Sequence, residues 1–187
     1  MAATPGILKL LLDRHTIRNY DPTYAIPKEQ IEQIFEAVRH SPTAFTCQDV
    51  DFMICLNRET NQKAADAQLA QFPDQMRDGL LERKEKFKVS NVITCDASAE
   101  VIIYKNERAQ NENYSRIHAG IAAMAICVAA KEFGLDTMCH IVMVGNGAEE
   151  VYGIPKDSAL MAVAIGKALP DAHVSARGFQ NKITILE

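Results

Sequence analysis

The sequence has little of what marks several large classes of protein. It has no surplus of positive charge: 20 Lys and Arg stand against 24 Asp and Glu, a net charge of −4. A nucleic-acid or anionic-membrane surface needs clustered cations to offset phosphate, so neither partner is expected. No apolar run reaches the roughly 20 residues that cross a bilayer. The longest, Ala119 to Ala130, belongs in a core. The opening Met1-Ala2-Ala3-Thr4-Pro5 has no basic segment leading into a long apolar one, so a cytoplasmic location is expected. The five cysteines, Cys47, Cys55, Cys95, Cys127 and Cys139, are odd in number and show no CxxC spacing. Reduced thiols are the natural reading. There is no phosphate-cradling Walker loop. Gly145-Asn146-Gly147 lacks the third glycine of a dinucleotide fingerprint, and Glu149 and Glu150 would repel a pyrophosphate. Cys139-His140 has no second close Cys/His pair, which argues against a metal site.

What is present reads as one domain spanning residues 1–187, with 48% hydrophobic and 24% charged residues, ordinary values for a chain that folds. Ile7, Leu8, Leu11 and Leu12 place one apolar stripe on a helix over 4–13, and Ile31, Ile34, Phe35 and Val38 do the same after Pro27. Strands are expected at 51–56, 101–104, 138–144 and 160–165, with a β-like tail at 183–186. The polar stretch 61–88, with Pro73 and Gly79 as breaks, reads as a mobile or substrate-facing excursion. A long helix over 114–133, ended by Gly134, is apolar on every side along 119–130. One sheet hides only one face of such a helix, so part of its cover is expected from a second subunit.

Two constellations could carry chemistry. In an extended Arg14-His15-Thr16-Ile17-Arg18, alternate side chains share a face, so Arg14, Thr16 and Arg18 could clamp a phosphate. They could equally pair with surface acids such as Asp13 and Asp21. The loop Ser41-Pro42-Thr43-Ala44-Phe45-Thr46-Cys47-Gln48 is small and hydroxyl-rich. It could bring backbone N–H groups and polar side chains to a flat ligand, or could simply connect a helix to a strand.

Taken in order, several segments resemble the nitroreductase family of FMN-dependent oxidoreductases. They are Arg14 to Asp21, Ser41 to Gln48, Asp96-Ala97-Ser98-Ala99-Glu100-Val101-Ile102, the apolar helix into Phe133-Gly134-Leu135-Asp136, the strand ending in Gly166, and Arg177 ahead of Gln180-Asn181-Lys182-Ile183-Thr184. The resemblance implies an α+β fold, a central mixed β-sheet flanked by helices in an interlocked homodimer, with FMN at the subunit interface. It further implies that Arg14, His15, Thr16, Arg18 and Arg177 hold the FMN phosphate and ring edge. Pro42, Thr43, Ala44 and Gln48 would reach the flavin bound mainly by the other subunit, Cys139, His140 and Ile141 would line the ring, and Asn91 would make a polar contact to it. The chain departs from the family pattern after Gln48, where Asp49 and Val50 replace a proline and an aromatic residue, and at Ser175, where a basic residue is common.

The implied reaction runs on the flavin and needs no protein nucleophile: NADH or NADPH reduces it, leaves, and a nitro-aromatic, quinone or similar small acceptor follows in a ping-pong cycle. Two other readings compete. One is a flavin carrier without turnover; the other is a hydrolase using Cys139 with His15, His118 or His140.

Overall fold

A computed structural model of the chain describes residues 6–141 and 147–186. Four strands form one sheet in the order β1-β2-β4-β3: β1 Val50–Cys55, β2 Ala99–Lys105, β3 Asp136–His140 and β4 Ala159–Gly166. Among the described residues, all three strand pairs are antiparallel, and a parallel component enters only through an isolated bridge between Thr16 and Thr137. The central strands β2 and β4 are covered on both faces, which is why they are nearly continuous runs of apolar residues with little polar alternation.

One face carries α2 (Lys28–Val38) and α6 (Glu112–Glu132), packed over Val101, Ile103, Val163 and Ile165. Phe35 meets Phe52 edge-on at 5.4 Å between ring centres. The other face carries α3 (Arg58–Gln71) and α7 (Ala148–Tyr152), with Ala64, Ala65, Ile93 and Ala148 against Ile102 and Ala162. Within the stretch read as a mobile or substrate-facing excursion, α3 is thus a layer of the fold, while Gly79, Glu82, Arg83 and Lys86 line a cavity with Arg18. The helices of that stretch are α3, α4 (Asp74–Leu81) and α5 (Arg83–Phe87). Pro73 does cap α4, but Gly79 lies inside it; the joint falls at Glu82, because a glycine costs a helix interior only about 1 kcal/mol.

Helix α6 begins at Asn111, whose side chain accepts from the backbone N–H groups of Asn113 at 3.0 Å and Tyr114 at 3.3 Å. It ends at Gly134 (φ +69°), where Gly134 N–H reaches Lys131 C=O and Leu135 N–H reaches Ala130 C=O, the paired bonds of a Schellman cap. Its inward face, Ala119, Ala122, Ala123, Ile126 and Ala130, is buried. Its outward face is not: Tyr114, Ile117, Ile121 and Met124 form an exposed stripe. Helix α1 (Gly6–Asp13) lies beside it and exposes Ile7, Leu8, Leu11 and Leu12. Two neighbouring helices thus each hold large apolar side chains out to solvent.

The expected tail strand at 183–186 is absent. Residues 173–186 carry no regular structure, and Phe179, Ile183, Ile185 and Leu186 are exposed. A strand needs a ladder partner, and these residues find none among the described residues of their own chain. Thr4 and Pro5 of the expected first helix, and 142–144 of the expected third strand, lie outside the described residues.

Candidate functional site

The segment Arg14 to Arg18 runs along the free edge of β3. Ile17 N–H donates to Thr137 C=O at 3.2 Å, and Asp21 N–H donates to Lys167 C=O at 2.8 Å. Ile17 turns into the core while Arg14, His15, Thr16 and Arg18 are all half-buried. Arg177 comes back from the tail to donate to Leu12 C=O at 3.3 Å, next to Arg14 at the end of α1. Arg18 lines a cavity of about 390 Å³ with Arg83, Lys86 and His173. Burial lowers the pKa of Arg83, whose guanidinium donates to Val92 C=O at 3.1 Å.

The loop of residues 41–48 sits at the other end of α6, and a buried polar network explains its shape. Ala44 N–H donates to His118 Nε2 at 2.9 Å. That nitrogen must be an acceptor, so the ring proton is on Nδ1 and donates to Asp49 Oδ1 at 2.7 Å. Ser115 Oγ donates to the second Asp49 oxygen at 2.6 Å. Both Asp49 and His118 are almost wholly buried. Burial alone would raise the pKa of Asp49, but the hydrogen bonds from Ser115 and His118 outweigh it and hold the carboxyl below its ordinary value. The network fixes a loop in which Phe45, Thr46 and Gln48 all have left-handed backbone angles (φ +53°, +51° and +47°), an arrangement that costs non-glycine residues energy. Asp49, which departs from the family pattern, is thus the anchor of the loop. Sequence reasoning missed this role; the available signal was Ser115 and His118, two polar residues three apart on an otherwise apolar helix face.

The same hydrogen bonds decide what this cluster is not. Cys47, Asp49 and His118 offer ligand atoms within 4.8 Å of one another. A metal on His118 Nδ1 would, however, move the proton to Nε2, against the Ala44 N–H. Nor does the histidine activate Cys47, whose Sγ lies 4.0 Å from the nitrogen already held by Asp49. Among the described residues no histidine is hydrogen-bonded to Cys139, which leaves the hydrolase reading without a base.

At the end of β3, neighbouring side chains point to opposite faces. Cys139 faces α6, while His140 comes within 2.8 Å of the fully buried Glu100 without being aligned for a hydrogen bond. Ile141 is exposed. Asn91 is turned inward: its side-chain oxygen caps Ile93 and Thr94 N–H at 2.9 Å, and its amide donates to Asn61 C=O at 3.3 Å. That leaves it poorly placed for a ligand.

Within one chain, the basic segment and the loop do not meet. His118 and Cys127 mark their positions along α6, and nine residues of helix at about 1.5 Å each separate them by about 14 Å. Among the described residues, no helix is long and apolar enough to cross a membrane.

Comparison with known proteins gives a consistent answer. YdgI of Bacillus subtilis, provisionally named an NAD(P)H nitroreductase, is 24% identical over 95% of each chain. A nitroreductase from Bacteroides fragilis, solved with bound FMN, superposes with a TM-score of 0.78 at 19% identity, covering 98% of this chain and 100% of that one. NfnB of Mycobacterium smegmatis, an FMN-dependent nitroreductase solved with NADPH, gives 0.72 at 13% identity over 95% and 97%. The profile of the Nitroreductase family itself matches residues 11–167, and the chain belongs to that family.

Proposed function

We propose that the chain is an FMN-dependent oxidoreductase that takes electrons from NADH or NADPH and passes them to small acceptors such as nitro-aromatics or quinones. It would work in the cytoplasm as a homodimer with FMN at the subunit interface. The observation that carries this reading is the separation of the two constellations along α6, together with the uncovered apolar stripe beside them. If two copies pack stripe to stripe with their α6 helices antiparallel, the loop of one meets the basic segment of the other, and each site is completed by both chains.

The donor set suits FMN. Arg14 and Arg177, with Thr16 and His15, offer charge-assisted bonds to a phosphate near the end of α1, and Arg18 adds positive potential from the neighbouring cavity. Pro42, Thr43, Ala44 and Gln48 would form the wall presented by the partner copy. The Ala44 N–H is held by His118, so it supports the wall and does not bind the ligand. Cys139, His140 and Ile141 would lie toward the ring, while Asn91 is turned inward. FMN held by these residues would supply two-electron redox chemistry between a reduced nicotinamide and the acceptor, in a ping-pong cycle. The chain's own part is to orient the cofactor and keep the loop wall fixed.

The test is reconstitution. Purified protein mixed with FMN and desalted should keep flavin absorbance and sediment as a dimer, and NADH or NADPH should bleach it without oxygen. Arg14→Ala should weaken FMN binding by about 1.5–3 kcal/mol, the loss of one charged hydrogen bond. A protein that stays colourless would overturn the proposal. Bound flavin that neither nicotinamide reduces would instead identify a carrier.

A further inference from the structure

The sulfur atoms of Cys127 on α6 and Cys139 on β3 lie 3.5 Å apart. The pair is chemically asymmetric. Cys127 is buried and receives a hydrogen bond from Thr137 Oγ1 at 3.1 Å, while Cys139 is exposed at the edge of the sheet. A disulfide needs its sulfurs at about 2.05 Å, so closure requires an approach of only about 1.5 Å between a helix and the strand it already touches. Twelve residues separate the two cysteines in sequence. The other three, Cys47, Cys55 and Cys95, make no contact with a second sulfur among the described residues.

We infer that Cys127 and Cys139 form a reversible dithiol–disulfide couple that reacts with low-molecular-weight disulfides. This goes beyond the flavin chemistry and does not depend on it. The surroundings divide the roles. Hydrogen bonds from the Cys139 thiol and the Thr137 hydroxyl favour the Cys127 thiolate, and the positive charge of Arg14 acts in the same direction. Cys139 is the exposed residue of the two; its hydrogen bond to Cys127 and the partial burial of its sulfur push its thiol pKa up, so it attacks only as its proton passes to Cys127.

The exchange balances without any other reactant. The Cys139 proton passes to the Cys127 thiolate as Cys139 Sγ attacks one sulfur of RS–SR, forming Cys139–S–S–R and releasing RS⁻. Cys127 then gives that proton to RS⁻ and attacks Cys139 Sγ, which releases the second RS⁻ and closes the intramolecular bond. The protein loses two electrons, and the small disulfide is reduced to two thiols. Excess small thiol reverses both steps.

The test uses the full chain with FMN bound and, separately, without it, equilibrated with oxidised glutathione, alkylated and analysed by intact mass and peptide mapping. The expected result is a mass loss of two hydrogens and one linked peptide pair carrying Cys127 and Cys139 in the FMN-free preparation, and the same products formed more slowly in the FMN-bound one, where the flavin proposed beside Cys139 shields it. Cys47, Cys55 and Cys95 should remain alkylated, and excess reduced glutathione should restore all five thiols. Cys127→Ser removes both the base and the resolving thiol, so it should gain glutathione on Cys139 slowly and form no linked pair, whereas Cys139→Ser should form neither product. Wild-type protein that keeps every thiol, links another pair, or holds glutathione on Cys139 without closing the bond would overturn the inference. Because the readout is covalent, this outcome is separate from whether FMN is reduced.

Discussion

The two ends of α6 handle polar atoms in opposite ways. At the Ser115–His118 end, Asp49, His118 and Ser115 form a closed set in which each donor has an acceptor and the ring tautomer has only one answer. At the Cys127 end, two sulfurs rest against each other with one hydroxyl for support. A fully satisfied buried network makes the first end rigid and chemically quiet. The second end is held by soft, weak contacts, so its groups are free to change partners. One helix therefore carries a fixed post and a reactive pair, and the inward side chain at two positions makes the difference.

The largest expected effect of breaking this contrast is at the post. Asp49→Ala leaves the His118 Nδ1 proton and the Ser115 hydroxyl without their acceptor, and should lower the unfolding free energy by about 3 kcal/mol. Urea unfolding measures it; a loss below about 1 kcal/mol would show that the network is not holding the loop. Acid should act on the same point more gently. The folded pKa of Asp49 is lowered, so its contribution is fully present above the ordinary carboxylate pKa of about 4 and disappears as pH falls through the lowered folded value. Melting temperature should therefore fall more steeply below about pH 4 in the wild type than in Asp49→Asn. Parallel curves would contradict the assignment. The smallest effect is at the thiol end: Thr137→Val keeps the buried shape but removes the hydroxyl donor, which should raise the Cys127 pKa and slow its alkylation at neutral pH with little change in stability. An unchanged alkylation rate would sharpen the contrast by leaving the Cys139 thiol and the Arg14 charge as the influences on Cys127.

Much of the fold is readable from local pattern. The stripes of Ile31, Ile34, Phe35 and Val38, and the apolar runs of β2 and β4, are direct records of what those residues face. Gly134 marks the end of α6 because a left-handed cap is needed there. The tail was misread because β propensity at Ile183 to Leu186 says nothing about whether an edge is available to pair with. The packed role of α3 was not legible because it is polar in composition yet buries Ala64, Ala65, Asn61 and Gln68 against the sheet and α7. In the candidate site, Arg14 to Arg18 and the 41–48 loop stand out as contiguous residues. The network under the loop joins residues 44, 49, 115 and 118, and the thiol pair joins a helix to a strand. Such long-range encounters leave no periodic trace.

The left-handed turn at Phe45 bears on how this protein could be engineered. Phe45 is 90% exposed and occupies a backbone region that glycine enters freely, at about 1–2 kcal/mol less cost. Phe45→Gly should therefore be tolerated by the fold, and it would delete the largest side chain the loop holds out to solvent. A screen that rewards only thermal resistance would favour that exchange. One that rewards turnover would keep the aromatic ring if the loop forms the wall proposed here, so the two selections would diverge at this single codon.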